Sequence, residues 1–420
     1  MSTRQKGFKR ITLGLVAVGL SLALLLAAAI PVCEAGPEKR VIKVGHHVGL
    51  TGPLASTYVH VTYGVNDFAR YTNEHGGING VELKVIWYDV GKTLDAGTIS
   101  AHKRFKEAGV VFEIMSLSTA TEMLAPRWQK DEIPALFVVG YTPAMITQPI
   151  RWVFTFCSGH GPMAVTFMKW AKDNWTEERP PKIGFMIYDH SSAWDELNGA
   201  REWAPKLGLG FEFVGYEVVP FAGTLDTSTE WLRLAAKNPD WIYVGACGST
   251  LVTLSKDAAR LGIQEKGIKI CNCGYGVDEI VLKPMGESAE GWYAVRLHPS
   301  ATDQEVPGVR LAHEMIKRYR GLDEACSHYI AACGISSTII EAIRLAMEKV
   351  GYENLNGRAV RDAMMTIKDF TPFGEVFPPV TITENRPYVC PYFRMYQVRE
   401  GRIWRVSDWL ESAFHFPELG

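Results

Sequence analysis

Short apolar runs in this chain alternate with stretches where apolar residues recur every three or four positions. Val41-Ile42-Lys43-Val44-Gly45 has the length and β-branched content of a buried strand. After the turn Thr51-Gly52-Pro53, Tyr58, Val61, Val65, Phe68, Ala69 and Tyr71 follow at helical spacing. Gly76-Gly77-Ile78-Asn79-Gly80 closes that helix, because glycine tolerates the left-handed backbone of a helix end. Val81 to Tyr88 reads as a second strand. Strand, helix and strand with glycine-marked joints form a βαβ unit, whose crossover is expected to be right-handed.

The alternation continues. Leu94 to Ala108 reads as a helix and Val110 to Met115 as a strand. Ser118 or Thr119 is a candidate N-cap for the helix carrying Met123, Leu124 and Trp128. Ile133 to Val139 is the next strand, before the turn Gly140-Tyr141-Thr142-Pro143. A first crossing between two lobes is expected at Cys157 to Pro162. A second series then begins, with helices over Pro162–Asn174 and Trp194–Leu207 and strands over Lys182–Tyr188, Phe211–Val219 and Gly267–Cys271. Around Val295 to His298 the chain should return to the first lobe, into the helices Gly308–Tyr319 and Tyr329–Val350. The tail from Pro379 to Trp409 reads as strands with a hairpin at 397–402. The predicted class is α/β, two Rossmann-like lobes with parallel sheets covered by helices.

Particular runs resemble a known family. Thr51-Gly52-Pro53-Leu54-Ala55, then GGINGVELKVIWYD, then Asn238-Pro239-Asp240-Trp241-Ile242-Tyr243-Val244-Gly245, Ala289-Glu290-Gly291-Trp292-Tyr293 and Leu355-Asn356-Gly357-Arg358 are similar to the periplasmic leucine/isoleucine/valine-binding proteins. These are type I solute receptors of ABC transporters. The resemblance implies a fold with a three-crossover hinge. It implies an N-terminal lobe of residues 36–156 plus 297–378 and a C-terminal lobe of 157–296 plus 379–420. It also implies a small carboxylate or amino acid as ligand, ABC permease and ATPase subunits as partners, and a receptor without cofactor or catalysis. A monomer is expected.

Composition narrows this further. The 420 residues suffice for two cores, and 47% apolar content argues against disorder. A net charge of −2 gives nucleic-acid binding little electrostatic support. Arg4, Lys6, Lys9 and Arg10 precede the uncharged run Ile11 to Val32, which reads as a signal peptide over residues 1–35 and places the protein in the periplasm. An uncleaved anchor, or lipidation at Cys33, is the alternative. Removing Cys33 leaves seven of the eight cysteines. Cys326 and Cys333 would stand about 10 Å apart along a helix, too far for a disulfide. Cys271 and Cys273 are read as buried thiols, with a bridge to another segment as the alternative. No metal site is expected.

Ligands of parallel α/β sheets sit beyond the carboxyl ends of the strands. Ser118, Thr119 and Ala120 open a helix whose free N–H groups favour an anion. Tyr141 and Thr142 would add hydroxyls. The family uses the corresponding turns for the ligand's carboxylate, so the resemblance assigns that role here; Ser118 as a plain N-cap is the competing reading. From the second lobe, Trp194, Cys247, Gly248 and Tyr275 are candidates, with Tyr58 from the first. Where the family places an acid for the ligand's amine, this chain has Asn272-Cys273-Gly274-Tyr275-Gly276. A buried ammonium without a carboxylate is costly, so an amine-free aromatic or branched carboxylate is expected to fit better. His46 and His47 adjoin on one strand and point to opposite faces, so they cannot readily share a metal. One is read as structural, and the other as a candidate contact for an anionic ligand.

An enzyme is disfavoured. The chain lacks G-x-S-x-G, H-E-x-x-H and a P-loop, and Gly208-Leu209-Gly210 lacks the third glycine of a dinucleotide fingerprint. A ligand sensor of the same fold is the alternative function.

Overall fold

The computed structural model describes residues 40–52, 55–91, 94–146 and 151–415. The expected signal segment lies outside the described residues. The elements in chain order begin with β1 (Val41–Val48), α1 (Ala55–Glu74), β2 (Glu82–Asp89), α2 (Leu94–Ala108), β3 (Phe112–Met115), α3 (Ser118–Asp131) and β4 (Ala135–Gly140). They continue with α4 (Pro143–Ile146), β5 (Val153–Cys157), α5 (His160–Asp173), β6 (Lys182–Tyr188), α6 (Ser191–Lys206) and β7 (Glu212–Val219). Next come α7 (Ser228–Ala235), β8 (Trp241–Gly245), α8 (Gly248–Arg260), β9 (Lys269–Asn272), α9 (Glu279–Met285) and β10 (Tyr293–Arg296). The last are α10 (Pro307–Arg320), α11 (Ser327–Val350), α12 (Gly357–Met364), β11 (Tyr388–Cys390), β12 (Tyr392–Arg399), β13 (Arg402–Arg405) and β14 (Leu410–Glu411).

Two sheets result. The first has the order β11-β5-β4-β3-β1-β2, and every pair in it is parallel. The second runs β13-β12-β10-β9-β8-β6-β7, with β14 on β12. Its β10–β12 and β12–β13 pairs are antiparallel. Strands β3, β4, β5 and β8 are buried at every position, as helices on both faces of a parallel sheet require. Their apolar side chains contribute about 1.5–3 kcal/mol each when fully buried.

The tail spans both sheets. Within residues 379–420, expected in the second lobe, Tyr388–Cys390 pairs with β5 in the first sheet. Its three residues are all buried beside β5. The chain then enters β12 of the second sheet after Pro391. The 397–402 hairpin is present as β12–β13.

Close helix packing explains two glycine positions. A Cβ on Gly64 would sit 2.7 Å from the Tyr329 carbonyl oxygen, so glycine lets α1 and α11 approach. A Cβ on Gly199 would sit 2.5 Å from the Gly161 Cα, which ties α5 to α6 in the same way. Helix α11, 24 residues long, buries most of its surface, packing on α1 and α12. Cys326 precedes α11 as its N-cap residue rather than lying inside it. All seven described cysteines are buried free thiols, so no bridge joins Cys271 or Cys273 to another segment.

One carboxylate is buried inside the first sheet. Glu113 accepts hydrogen bonds from His47 Nε2 (2.7 Å), His102 Nδ1 (2.8 Å) and Trp128 Nε1 (2.9 Å). His102 Nε2 also reaches Asp131 at 3.1 Å, so the ring donates on both sides as an imidazolium. Burial alone would raise Glu113, but the bonds from His102 and His47 outweigh it and hold the carboxyl below its ordinary range. His47 is thus structural. His46, expected as a possible anion contact, is fully buried with neither ring nitrogen bonded. Desolvation pushes it down to about 3, which keeps it neutral, and it lines neither of the two cavities described below.

Candidate functional site

The loops after β3 and β6, one from each sheet, meet directly. Leu117 rather than Ser118 is the N-cap of α3, and no side chain caps that helix. Ser118 opens the first turn, and its Oγ lies 3.1 Å from Ser191 Oγ and 3.4 Å from His190 Nδ1. The competing cap reading therefore gives way to a contact across the cleft. His190 Nδ1 also lies 2.9 Å from Ser192 Oγ, and the Tyr275 hydroxyl donates to Ser192 Oγ at 3.3 Å.

Two small cavities adjoin this contact. One, of about 10 Å³, is lined by Tyr58, Ser116, Ser118, His160, His190, Ser192 and Tyr275, with Phe137 and Val139. The other, of about 20 Å³, lies among Val61, Val138, Leu297, Ala331, Ala332 and Ile335, with His298 and His328. Tyr58, Val139 and Tyr275 line both. The site thus has a hydroxyl and imidazole end beside the start of α3 and a hydrocarbon end beside α1 and α11. Each cavity holds about one water molecule, so a larger solute enters only as the loops part.

The structure brings Ser118, Tyr58 and Tyr275 to the cavities. Thr119 lies in the first turn of α3, and Ala120 is buried behind it. Tyr141 is turned inward: its hydroxyl donates to the carbonyls of Val153 (2.6 Å) and Pro387 (3.0 Å). Thr142 Oγ1 donates to Glu122 at 2.6 Å. Cys247 is the N-cap residue of α8 but its thiol does not cap the helix; it lies 3.6 Å from the Tyr188 hydroxyl, and burial pushes it up to about 12. Gly248 follows at φ 61°, a conformation that suits glycine. Trp194 lies apart: its indole donates to Asp189 at 2.9 Å and meets Tyr216 edge-on at 5.9 Å. Sequence reasoning missed His160, His298 and His328. His160 and His298 stand at the expected crossings and His328 in the first turn of α11, where no local pattern marks a cavity-lining residue.

The region of the absent acid is explained by its bonds. Asn272 Nδ2 donates to the carbonyls of Val244 (2.9 Å) and Ala246 (3.0 Å), and its Oδ1 accepts from Val277 N–H at 2.7 Å. The carboxamide therefore ties the end of β8 to the loop after β9 and lines neither cavity. Asp278 Oδ1 accepts from the N–H groups of Ile280 and Val281, which caps α9, while Oδ2 takes the His328 Nδ1 bond from α11. Burial works to raise Asp278, but His328 and these N–H groups prevail and hold it low. Glu279 accepts from Ser327 N–H at 2.7 Å and from the hydroxyls of Ser327 and Ser300. Together Asp278 and Glu279 bolt the second sheet's α9 to the start of α11. Beside this bolt a groove of about 680 Å³ runs between His60, Lys283 and Arg402.

No curated protein sequence matches the chain. Residues 41–402 match the family described as periplasmic binding protein. Among solved structures, a branched-chain amino acid ABC transporter protein from Thermus thermophilus with bound valine is 18% identical, with a TM-score of 0.75. That match covers 89% of this chain and 97% of the other. A fatty acid ABC transporter substrate-binding protein from Thermomonospora curvata is 16% identical at TM-score 0.77, covering 91% and 96%. A substrate-binding protein from Aeropyrum pernix is 18% identical at TM-score 0.78, covering 90% and 97%. At these identities the structures establish the fold alone. The family match spans most of the chain, and with that fold it shows that this chain belongs to the type I periplasmic binding proteins.

Proposed function

We propose that this protein is the extracytoplasmic receptor of an ABC importer, with the two sheets and their helices acting as hinged lobes. Its ligand is a small carboxylate with an aromatic or branched body and no amine. One observation carries the ligand class: the cleft joins a Ser118–Ser192–His190 end to a hydrocarbon end, and no carboxylate lines either cavity. Backbone N–H groups at the start of α3 supply the complementary dipole for an anion. Domain closure around the ligand is the motion such a cleft supports. Neighbours of the same fold carry valine and fatty acid in their names, which brackets the class from the amino acid side and the acyl side.

Thermal-shift screening of the mature protein tests this, since a ligand that binds only the folded state raises the melting temperature. Phenylacetate or 4-methyl-2-oxopentanoate should stabilise it, and leucine or valine should not. Stabilisation by leucine alone would restore the amino acid reading. Ser118→Ala should weaken carboxylate binding about tenfold, the cost of one hydrogen bond to a charged group. Trp194→Phe should leave the ligand-induced shift unchanged, because the indole packs on Tyr216 away from the cavities. A loss matching that of Ser118→Ala would place Trp194 in the site.

A further inference from the structure

Behind the polar end of the cleft stand four buried atoms without a hydrogen bond of good geometry: both ring nitrogens of His160 and both carboxyl oxygens of Glu196, which the Tyr275 and Tyr243 hydroxyls approach. His160 is 1% exposed and Glu196 is fully buried. The two approach at 3.7 Å, from His160 Nδ1 to Glu196 Oε1. His160 lines the cavity that Ser118 and Ser192 share, and Tyr275 meets its ring edge-on at 5.3 Å. A Cβ on Gly245 would come within 2.5 Å of Glu196 Oε2, so glycine there makes room for the carboxyl group. Each buried polar atom without such a bond is destabilising, and here four collect beside a ligand cavity.

We propose that His160 and Glu196 form a proton-accepting pair: the cleft takes up a carboxylate together with one proton, held on His160 between the ligand and Glu196. This rests on the carboxylate reading above. The proton comes from solvent, one N–H bond forms on the imidazole, and nothing else is made or broken in the protein. The physical reason is charge. A lone carboxylate in this cleft would be an uncompensated buried anion, and an imidazolium beside it cancels that charge.

The neighbouring groups fit a pair that is uncharged before the ligand arrives. Burial, then His190, hold His160 at about 3, and burial raises Glu196 well above the carboxylate range. Asp195, next on α6, is pushed by burial up to about 7 although it accepts the Gly161 N–H at 3.0 Å. Glu122 from α3 acts on Asp195 in the same direction. Tyr275, Tyr243, Cys157, Cys247, Cys271 and Cys273 complete the surroundings, and burial keeps each in its neutral form.

The test is isothermal titration calorimetry of the mature protein with phenylacetate and 4-methyl-2-oxopentanoate, in phosphate and in Tris, whose ionisation heats differ. The expected result is uptake of about one proton per ligand near neutral pH, with apparent affinity falling about tenfold per pH unit as pH rises. His160→Gln should bring the proton count close to zero and flatten the pH slope. Binding without proton uptake in the unaltered protein overturns the proposal and leaves the carboxylate reading standing, and that count needs no variant. A full proton count retained by a folded His160→Gln protein also overturns it. Failure of both carboxylates, with leucine binding, overturns the carboxylate reading and the proposal with it.

Discussion

Asp278→Ala should weaken ligand affinity about a hundredfold and enlarge the particle seen by small-angle X-ray scattering. The side chain is fully buried, caps α9 through two N–H groups and takes the His328 bond from α11. Removing this buried acceptor strands the His328 bond at a cost of about 1–3 kcal/mol, and the lost cap adds about 1 kcal/mol. Because α9 follows β9 of the second sheet and α11 packs on α1, which joins β1 to β2 of the first, much of that loss falls on the arrangement in which the halves touch. A penalty of about 3 kcal/mol on that arrangement is about two powers of ten in affinity. Asp278→Asn keeps the capping acceptor and should lose less. Unchanged affinity together with unchanged scattering would show that the pair does not hold the halves together.

Glu113→Leu should cost about 3–5 kcal/mol in urea denaturation, without reaching the ligand. Leucine fills much of the space but leaves His47, His102 and Trp128 with buried donors facing hydrocarbon. The same group predicts a pH window. Glu113 sits below its ordinary 4.5 in the folded protein, so its stabilisation is present above that value and fades as pH falls through the folded value. His102 has the opposite sign. Burial depresses it, but Glu113 and Asp131 raise it above 6.5, so its contribution is whole below 6.5 and fades as pH climbs through the folded value. Stability from this cluster should therefore peak between about 4.5 and 6.5, and Glu113→Leu should flatten the curve. A loss under about 1 kcal/mol would mean that water reaches the orphaned donors.

The alternation of apolar runs and helical spacing was enough to place the strands and helices, because buried parallel strands and amphipathic helices leave distinct periods. Ser118 and Tyr275 reach the cavities from loops at the carboxyl ends of strands, the positions this kind of sheet leaves open. Tyr141 and Trp194 show where that logic stops. A tyrosine after a strand looks the same whether its hydroxyl faces solute or, as here, the carbonyl of Pro387, 246 residues away in sequence. The pairing of Tyr388–Cys390 with β5 has no local signal either, since three residues do not say which of two sheets they complete. His160 and Glu196 were invisible because their meaning lies in what they lack, and absent partners have no sequence pattern.

The seven shielded cysteines have a practical consequence. A maleimide dye attacks a thiolate at the surface, and burial denies every described native cysteine both that exposure and that ionisation. Dyes offered to a W87C/L232C protein would therefore settle on the two new thiols, at sites already 47% and 49% open to solvent. One label would ride on β2 and the other on α7. Energy transfer between them would report the rotation of one half against the other in a single molecule, with the native cysteines left in place.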